Sequence, residues 1–234
     1  MIVSINQPAY LPWLGYFHRI AISDLHIVLD HVQFEKNSMT NRNKIRTKEG
    51  WCWLTVPVKT KGRFGNLPIQ DLEIDNLQSW DRKHLNALRS NYARAAYFGD
   101  HEPFFGEIYS APWPRFAPLA RKITEYLLKK LEIRTPLRYS SALAVPGEKS
   151  ELILNICRAV GATKYLSGPF GRDYLDEAAF REAGIEVRYH DYQHLAYKQV
   201  FDGFESHMAA VDLLFNCGPE SGHLLNGGQC LSNP

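Results

Sequence analysis

The sequence predicts an α/β fold with a mostly parallel sheet, and three stretches of the chain support this prediction. Near the beginning, the β-branched run Ile2 to Ile5 and the apolar run Leu25 to Leu29 flank a loop and a helical pattern from about Leu14 to Ile22. Branched side chains favour buried strands, and two apolar strands joined through a helix are typical of a right-handed crossover in a parallel sheet. We therefore expect a strand, a loop, a helix and a second strand.

The second stretch is a later region in which strand and helix patterns alternate. Strands are predicted over residues 136–143, 164–167 and 185–189, and helices over 148–160 and 174–183. Both helical patterns end at a glycine, the residue that most often terminates a helix. Because such alternation produces parallel strands, the predicted fold class is α/β, with a Rossmann-like, mostly parallel sheet.

The third stretch lies between these two regions. Residues 51–58 and 67–75 have strand patterns, and helical patterns follow over 77–92, from Pro103 and over 117–131. We interpret residues 77–131 as a helical insertion beside the sheet. The whole is predicted to be a single α/β domain over residues 1–218, followed by a flexible tail over 219–234.

Composition excludes several classes of protein. The 234 residues are 45% hydrophobic and 22% charged, with a net charge of +2, and no segment approaches the roughly 20 apolar residues that span a bilayer. A signal-peptide pattern is missing, so we expect a cytoplasmic protein without a membrane span. The cysteines are far apart and lack zinc-site spacing, which predicts reduced thiols and no metal site; they are Cys52, Cys157, Cys217 and Cys230.

Candidate site residues follow the first two predicted strands, because ligands of open parallel sheets bind at the carboxyl ends of the strands. Gln7 and Asp30 occupy these positions. The Asp30 carboxylate is a candidate general base, with His18 as the alternative, or else it caps a turn. In the first loop, Tyr10 and Trp13 would either stack a sugar or a base, or pack in the core.

Two further segments suggest anion binding. Residues 36–48 and 59–63 are rich in lysine and arginine, and Arg42 and Lys44 suit phosphate; the other interpretation is a solvated hairpin edge. The turn Ser167 to Arg172 joins a strand to a helix with small residues and one arginine, so backbone N–H groups could approach an anion there. This turn is neither a GxGxxG motif nor a P-loop.

The first of two resemblances is at the level of the fold. A strand, an aromatic loop, a helix and a late serine-glycine turn are similar to the nucleotidyltransferase-like Rossmann group that includes pantothenate synthetase. That group holds ATP phosphates with an HxGH motif. The corresponding positions here are Trp13, Leu14, Gly15 and Tyr16, so the glycine is present and both histidines are missing.

The second resemblance covers residues 2–218. The blocks QPAYLPWLGYF, SDLHIVLDHVQF, NRNKI, LTVPV, YLSG, KQVF and VDLLFNCG, in this order, resemble the WbqC-like family. The resemblance implies a cytosolic enzyme of O-antigen-type surface-polysaccharide or lipopolysaccharide biosynthesis, which acylates or aminoacylates an amino-sugar nucleotide. The site residues that it implies are Gln7, Tyr10, Trp13, Asp24, Asp30, Gln33, Asn41, Arg42, Tyr165, Ser167, Gly168 and Gln199.

Two other functions remain open at this point. One is a nucleotide-dependent ligase or nucleotidyltransferase with a degenerate HxGH motif. The other is a non-catalytic accessory protein that binds a sugar or a nucleotide. The expected partner is a small molecule such as a nucleotide-linked sugar, together with an acyl donor or a nucleotide; a tRNA-borne donor has only the basic segment 36–48 in its favour.

Overall fold

The computed structural model describes residues 1–63 and 65–227. Seven strands are found in these ranges: β1 (Ile2–Asn6), β2 (Leu25–Val28), β3 (Arg42–Thr47), β4 (Gly50–Thr55), β5 (Leu137–Tyr139), β6 (Lys164–Ser167) and β7 (Glu186–Tyr189). Five of them form a parallel sheet in the spatial order β5-β2-β1-β6-β7, and β3 and β4 form an antiparallel hairpin. The chain runs outward from β1 in both directions, so the strand order reverses between β1 and β6. Ligands of Rossmann-like sheets bind at such a reversal.

Helices cover both faces of the sheet. The described residues contain α1 (Leu14–Ala21), α2 (Trp80–Tyr92), α3 (Phe98–Ser110), α4 (Phe116–Lys130), α5 (Lys149–Ala159), α6 (Glu177–Glu182), α7 (Ala210–Cys217) and α8 (Ser221–Gly227). On one face, Val3 and Ile5 of β1 pack with apolar residues of α5 and α6, including Ile156 and Phe180. On the other side, a larger core joins α1, the hairpin, α2, α3, α4 and α7.

The predicted fold class is confirmed, since the central sheet is parallel and lies between helices. Several elements differ from their prediction. Residues 67–75 are not a strand: they contain a 3-10 turn, Ile69–Asp71, with isolated bridges on either side. The strand Arg42–Thr47 was not predicted, because Arg42 and Lys44 alternate with the buried Asn43 and Ile45, and a second buried residue, Arg46, breaks the alternation.

The expected tail over residues 219–234 also differs in its first part. A short helix, α8, occupies Ser221–Gly227, and its Leu225 is fully buried. Residues 228–234, with Cys230 among them, lie outside the described residues. Among the helices that the structure describes, none is long and apolar enough to cross a membrane.

A buried carboxylate ties the carboxyl-terminal segments to the rest of the fold. Asp212 of α7 is fully buried and accepts hydrogen bonds from Tyr92 OH at 2.7 Å, Tyr197 OH at 2.8 Å and Gln199 Nε2 at 2.8 Å. Burial raises the pKa of this carboxyl. Buried polar groups are stable only when hydrogen-bonded, so these three partners fix the segment 197–212 against α2.

Three hydrogen-bonded polar side chains, Ser4, Ser23 and His26, are buried between α1 and the sheet. His26 of β2 is fully buried, and its Nδ1 lies 2.8 Å from Ser4 Oγ, which lies 2.9 Å from Ser23 Oγ. Burial, and secondly the charge of Arg19, lower the pKa of His26 to about 3. The folded protein therefore keeps this histidine neutral.

We predict that this histidine makes stability depend on pH. Between pH 6 and pH 4 the unfolded chain protonates His26 and the folded chain does not, so the free energy of unfolding falls as the pH falls, by about 1.4 kcal/mol per pH unit for this residue. Urea unfolding of wild type and His26→Asn at pH 6, 5 and 4 measures the difference. Equal pH slopes for the two proteins would contradict a neutral, buried His26.

Candidate functional site

The strand-order reversal places four residues at the carboxyl ends of two neighbouring strands. Asn6 ends β1 and Gln7 follows it, while Ser167 ends β6 and Gly168 follows it. The backbone N–H of His190, directly after β7, donates to Ser167 O at 2.8 Å. This hydrogen bond draws the end of β7 toward the same point. We call this region, residues 6–7, 167–168 and 190, the switch point.

Arg19 of α1 points into the switch point. Its Nη1 lies only 2.4 Å from the place that a Cβ atom on Gly168 would occupy, so the guanidinium rests against the bare glycine backbone. The Nε of Arg19 is buried and has no hydrogen-bond partner. Within the described residues, no carboxylate lies in salt-bridge range of this guanidinium. A partly buried cation without a counter-ion favours an anionic ligand.

Tyrosines surround this arginine. Burial lowers the pKa of Arg19, and the nearby Tyr165, Tyr16 and Tyr174 act in the opposite direction. Burial likewise raises the pKa of Tyr165, so its hydroxyl stays protonated, and it is hydrogen-bonded with the neutral hydroxyls of Ser167 and Tyr174. The switch point therefore combines a fixed positive charge with neutral donors, an arrangement suited to phosphate or carboxylate oxygens.

A pair of histidines lies beside the arginine. His18 Nδ1 and His190 Nε2 are 2.8 Å apart, so one of the two nitrogens donates to the other. Burial lowers the pKa of His18, and burial together with Arg19 and His18 lowers the pKa of His190 to about 3. Both rings are neutral at pH 7. A neutral imidazole can accept a proton, which is the property of a general base.

A row of aromatic rings, formed by Trp13, His194 and His207, lies beside this region. Trp13 stacks on His207 with centroids 5.3 Å apart and also contacts His194. The indole folds back over Gly15, where an added Cβ would lie 2.3 Å from Trp13 Cη2. The beginning of α1 is thus covered by Trp13. Both ring nitrogens of His194 are buried without a hydrogen-bond partner.

Comparison with known proteins agrees with the motifs of the sequence. The family model of the WbqC-like protein family matches residues 7–224. The chain belongs to this family. It is 38% identical over 221 residues to the uncharacterized protein Rv1507c of Mycobacterium tuberculosis (strain ATCC 25618 / H37Rv), covering 94% of this chain and 95% of the relative. No solved structure matches.

Five of the residues predicted for this WbqC-like protein come together at the switch point. They are the residue after β1, the tyrosine and the last residue of β6, the residue after β6, and the histidine of α1: Gln7, Tyr165, Ser167, Gly168 and His18. Gln7 Oε1 accepts from Thr40 Oγ1 at 3.3 Å. Arg172 lies nearby in sequence, and its guanidinium covers the ring of Tyr189 at 4.1 Å.

A second group lies at the hairpin and the segment before it. Arg42 and Lys44 project from the outer face of β3, and Asn41 Nδ2 donates to Val56 O at 2.7 Å. Gln33 is held by two backbone groups, since its Nε2 donates to Phe34 O and its Oε1 accepts from Leu67 N. These residues therefore form a separate basic surface.

The remaining predicted residues have structural hydrogen bonds. Tyr10 is fully buried and contacts His84 and Tyr109, so it packs in the core and cannot stack a ligand. Asp24 Oδ2 accepts from Ile2 N at 2.7 Å, at the amino end of the sheet and away from the switch point. Gln199 holds Asp212 and the backbone of Glu205.

Asp30, the first candidate for a general base, is hydrogen-bonded to a turn. Its Oδ1 accepts from Ser140 Oγ and Ser141 N, and its Oδ2 accepts from Ser141 Oγ. These bonds join the end of β2 to the turn after β5 and match the turn-capping alternative. A catalytic role for Asp30 stays a prediction.

Sequence reasoning missed Arg19, His190 and His194. Arg19 is the one basic residue that stands inside the short apolar pattern of α1 without an acidic neighbour, which was an available signal. The two histidines gave no such signal, because it is the order of the strands in the sheet, and not their position in the sequence, that brings them close to the first loop. In the ranges 1–63 and 65–227, no group of three or more His, Cys, Asp and Glu side chains could hold a metal ion.

We predict that Gly168→Ala weakens anion binding at Arg19 without unfolding the protein. The φ of Gly168 is −75°, which alanine accepts, but its Cβ would displace Nη1 of Arg19. An NMR titration of the Arg19 Nε–H signal with inorganic phosphate should show a shift in wild type and at least a ten-fold weaker affinity in the variant. Gly99→Ala, with open space around its Cβ, is the matched control. Equal phosphate affinity in all three proteins would argue against the site.

Proposed function

We propose that this WbqC-like protein is a cytoplasmic transferase of surface-polysaccharide biosynthesis, which acylates or aminoacylates the amine of a nucleotide-linked amino sugar. The observation that carries the proposal is the uncompensated guanidinium of Arg19 at the switch point. A nucleotide-linked sugar carries a diphosphate, which supplies the missing negative charge. The polysaccharide context comes from the family resemblance.

The reaction requires a base and a bound, oriented amine. The amine nitrogen attacks the acyl carbonyl carbon, a C–N bond forms, and the bond from that carbon to the sulfur or oxygen of the donor breaks. One proton leaves the nitrogen and reaches the departing group. His18 is the residue that we assign to this proton transfer, because its ring is neutral and lies on the helix that carries Arg19.

His190 is assigned a positioning role. Its Nε2 is 2.8 Å from His18 Nδ1, and its backbone N–H is fixed on Ser167 O. This second histidine therefore determines which nitrogen of His18 carries the proton. The carboxylate of Asp30 accepts hydrogen bonds from two serines, so we assign Asp30 a structural role, the capping of the turn after β5.

The nucleotidyltransferase alternative has weaker support. In its favour are the parallel sheet, whose strand order reverses beside β1, and Gly15 at the position of the motif glycine. However, the HxGH mechanism brings phosphates to the beginning of α1, and there Trp13 covers Gly15 and stacks on His207. A phosphate would have to displace the indole ring.

Activity is tested by incubating the protein with UDP- or dTDP-linked amino sugars and acyl or aminoacyl donors, with mass spectrometry of the sugar nucleotide. We expect Arg19→Met to raise KM for the sugar nucleotide about ten-fold or more, since it removes a charge-assisted contact. His18→Asn should lower kcat by about 10²-fold, the usual contribution of a general base. Asp30→Asn should lower the unfolding midpoint and leave kcat nearly unchanged.

Other results would favour the alternatives. A loss of turnover in Asp30→Asn with an unchanged unfolding midpoint would restore Asp30 as the base. A thermal shift with ATP or CTP, together with release of pyrophosphate, would favour nucleotidyl transfer. Binding of the sugar nucleotide without turnover of any donor would favour the accessory protein.

A further inference from the structure

The outer face of the hairpin carries two exposed tryptophans between two cations. Trp51 is 43% exposed and Trp53 is 37% exposed, and their ring centroids are 5.6 Å apart. The guanidinium of Arg42 lies 4.5 Å from the centroid of Trp53, and Lys44 Nζ lies 4.3 Å from that of Trp51. Cation–π contacts of this kind hold both rings in a fixed orientation at the surface.

Two adjoining cavities continue this face into the body of the protein. They measure about 410 Å³ and 210 Å³ and share Phe34, Lys36 and Thr60 in their walls. Arg63 lines the larger cavity and Arg42 the smaller one. The larger volume is within the range of about 300–1,000 Å³ that is common for small-molecule pockets. Arg42 belongs both to the cavity wall and to the tryptophan face, so the two are continuous.

The charge of this region is not balanced. Lys36, Arg42, Lys44 and Arg63 have no carboxylate within 4.0 Å among the described residues, and Glu35 is the one acidic residue in the cavity walls. The Nε of Arg42 is in addition buried and without a hydrogen-bond partner. A buried donor of this kind favours a ligand that accepts a hydrogen bond.

We propose that the hairpin and these cavities form a second binding site, which holds the nucleotide portion of a small-molecule carrier. Because the two rings are inclined at 79° to each other, a planar base would stack on one of them and meet the edge of the other, and phosphates would contact Arg42, Lys36 and Arg63. A nucleotide is favoured over a neutral sugar because it combines a π surface with negative charge, and each half of the site matches one of these properties.

This site is distinct from the switch point and goes beyond the function proposed above. The first loop lies between the two regions: Gln7 contacts Thr40 before β3, and Trp13 stacks on His207, whose pKa is influenced by the nearby Lys44. If both sites are used in one reaction, the switch point holds the acceptor and the hairpin holds the donor carrier.

The test uses ADP as the probe and NMR of the five tryptophan indole N–H signals. We expect the Trp51 and Trp53 signals to shift on ADP addition, while those of Trp80, which is buried, and Trp113, which donates to Ile108 O, stay in place. Arg42→Gln should weaken ADP affinity at least ten-fold by the Trp53 signal. Lys122→Ala, at an exposed position of α4, is the matched charge-removal control and should leave the affinity unchanged.

Further measurements distinguish a nucleotide from other ligands and this site from the switch point. Inorganic pyrophosphate should bind at least ten-fold more weakly than ADP, because it lacks the base. ADP affinity read at Trp53 should be unchanged in Arg19→Met. The two proposals are therefore tested separately: a failure of ADP to bind at the hairpin does not contradict anion binding at the switch point, and a failure of anion binding at Arg19 does not contradict the hairpin site. The Trp80 and Trp113 signals report whether each variant is folded.

Several outcomes would overturn the proposal. One is the absence of ADP-dependent shifts at Trp51 and Trp53, and another is an unchanged affinity in Arg42→Gln. A ten-nucleotide single-stranded RNA that binds at these signals at least ten-fold more tightly than ADP would make RNA the occupant. Shifts that depend on protein concentration without ADP would instead identify a contact between two copies of the chain.

Discussion

The first loop, residues 7–13, is the constraint on which the rest of the structure depends. This loop is largely buried, so its backbone groups must find partners within the protein. The hairpin region supplies two of them, since Tyr10 N donates to Thr40 O and Asn43 Nδ2 donates to Leu11 O. The first residue of α7 supplies a third, since Ala210 N donates to Pro12 O. Distant parts of the chain are thus joined through seven residues.

The same requirement explains the buried Asp212. The segment 197–209 has little regular structure and cannot hold its position by itself. Asp212 anchors it through Tyr197 and Gln199, and Tyr92 anchors Asp212 to α2. As a result, Ala209 N reaches Lys44 O and His207 reaches Trp13. The row of rings beside the switch point therefore depends on a carboxylate that touches none of them.

Local pattern was sufficient for the sheet. The strands β1, β2 and β6 and the helix α1 were predictable because burial is almost continuous along each of them, so their residues are mostly apolar. The strand β3 was not predictable from its alternation, because its outward side chains are arginine and lysine that stack on tryptophans of β4. Residues 67–75 alternate like a strand, yet they form a turn, because backbone N–H groups of this segment donate to the Gln33 side chain and to Val32 O. In β3 and in residues 67–75 alike, contacts with residues distant in sequence determine the local structure.

The candidate site was predictable in part for the same reason. Ser167 ends a strand that the sequence reveals and Gly168 follows it, so their place at the carboxyl edge could be inferred. The partnership of His18 with His190 joins residues 172 positions apart and depends on the strand order, which no local pattern contains. Tyr10 and Gln199 were assigned to a ligand because aromatic and amide side chains suit one, but the core satisfies both.

The nature of the charge at the switch point limits what kind of ligand it can select. Burial lowers the pKa of His18, and with Arg19 it lowers that of His190 to about 3, so neither histidine is charged near neutral pH. Arg19 keeps its charge throughout this range because a guanidinium does not titrate there. Anion affinity at this point therefore depends on one permanent charge, whereas proton transfer depends on two neutral rings. Binding and proton transfer are thus assigned to different groups, and an anion can stay bound at Arg19 while the histidines change protonation state.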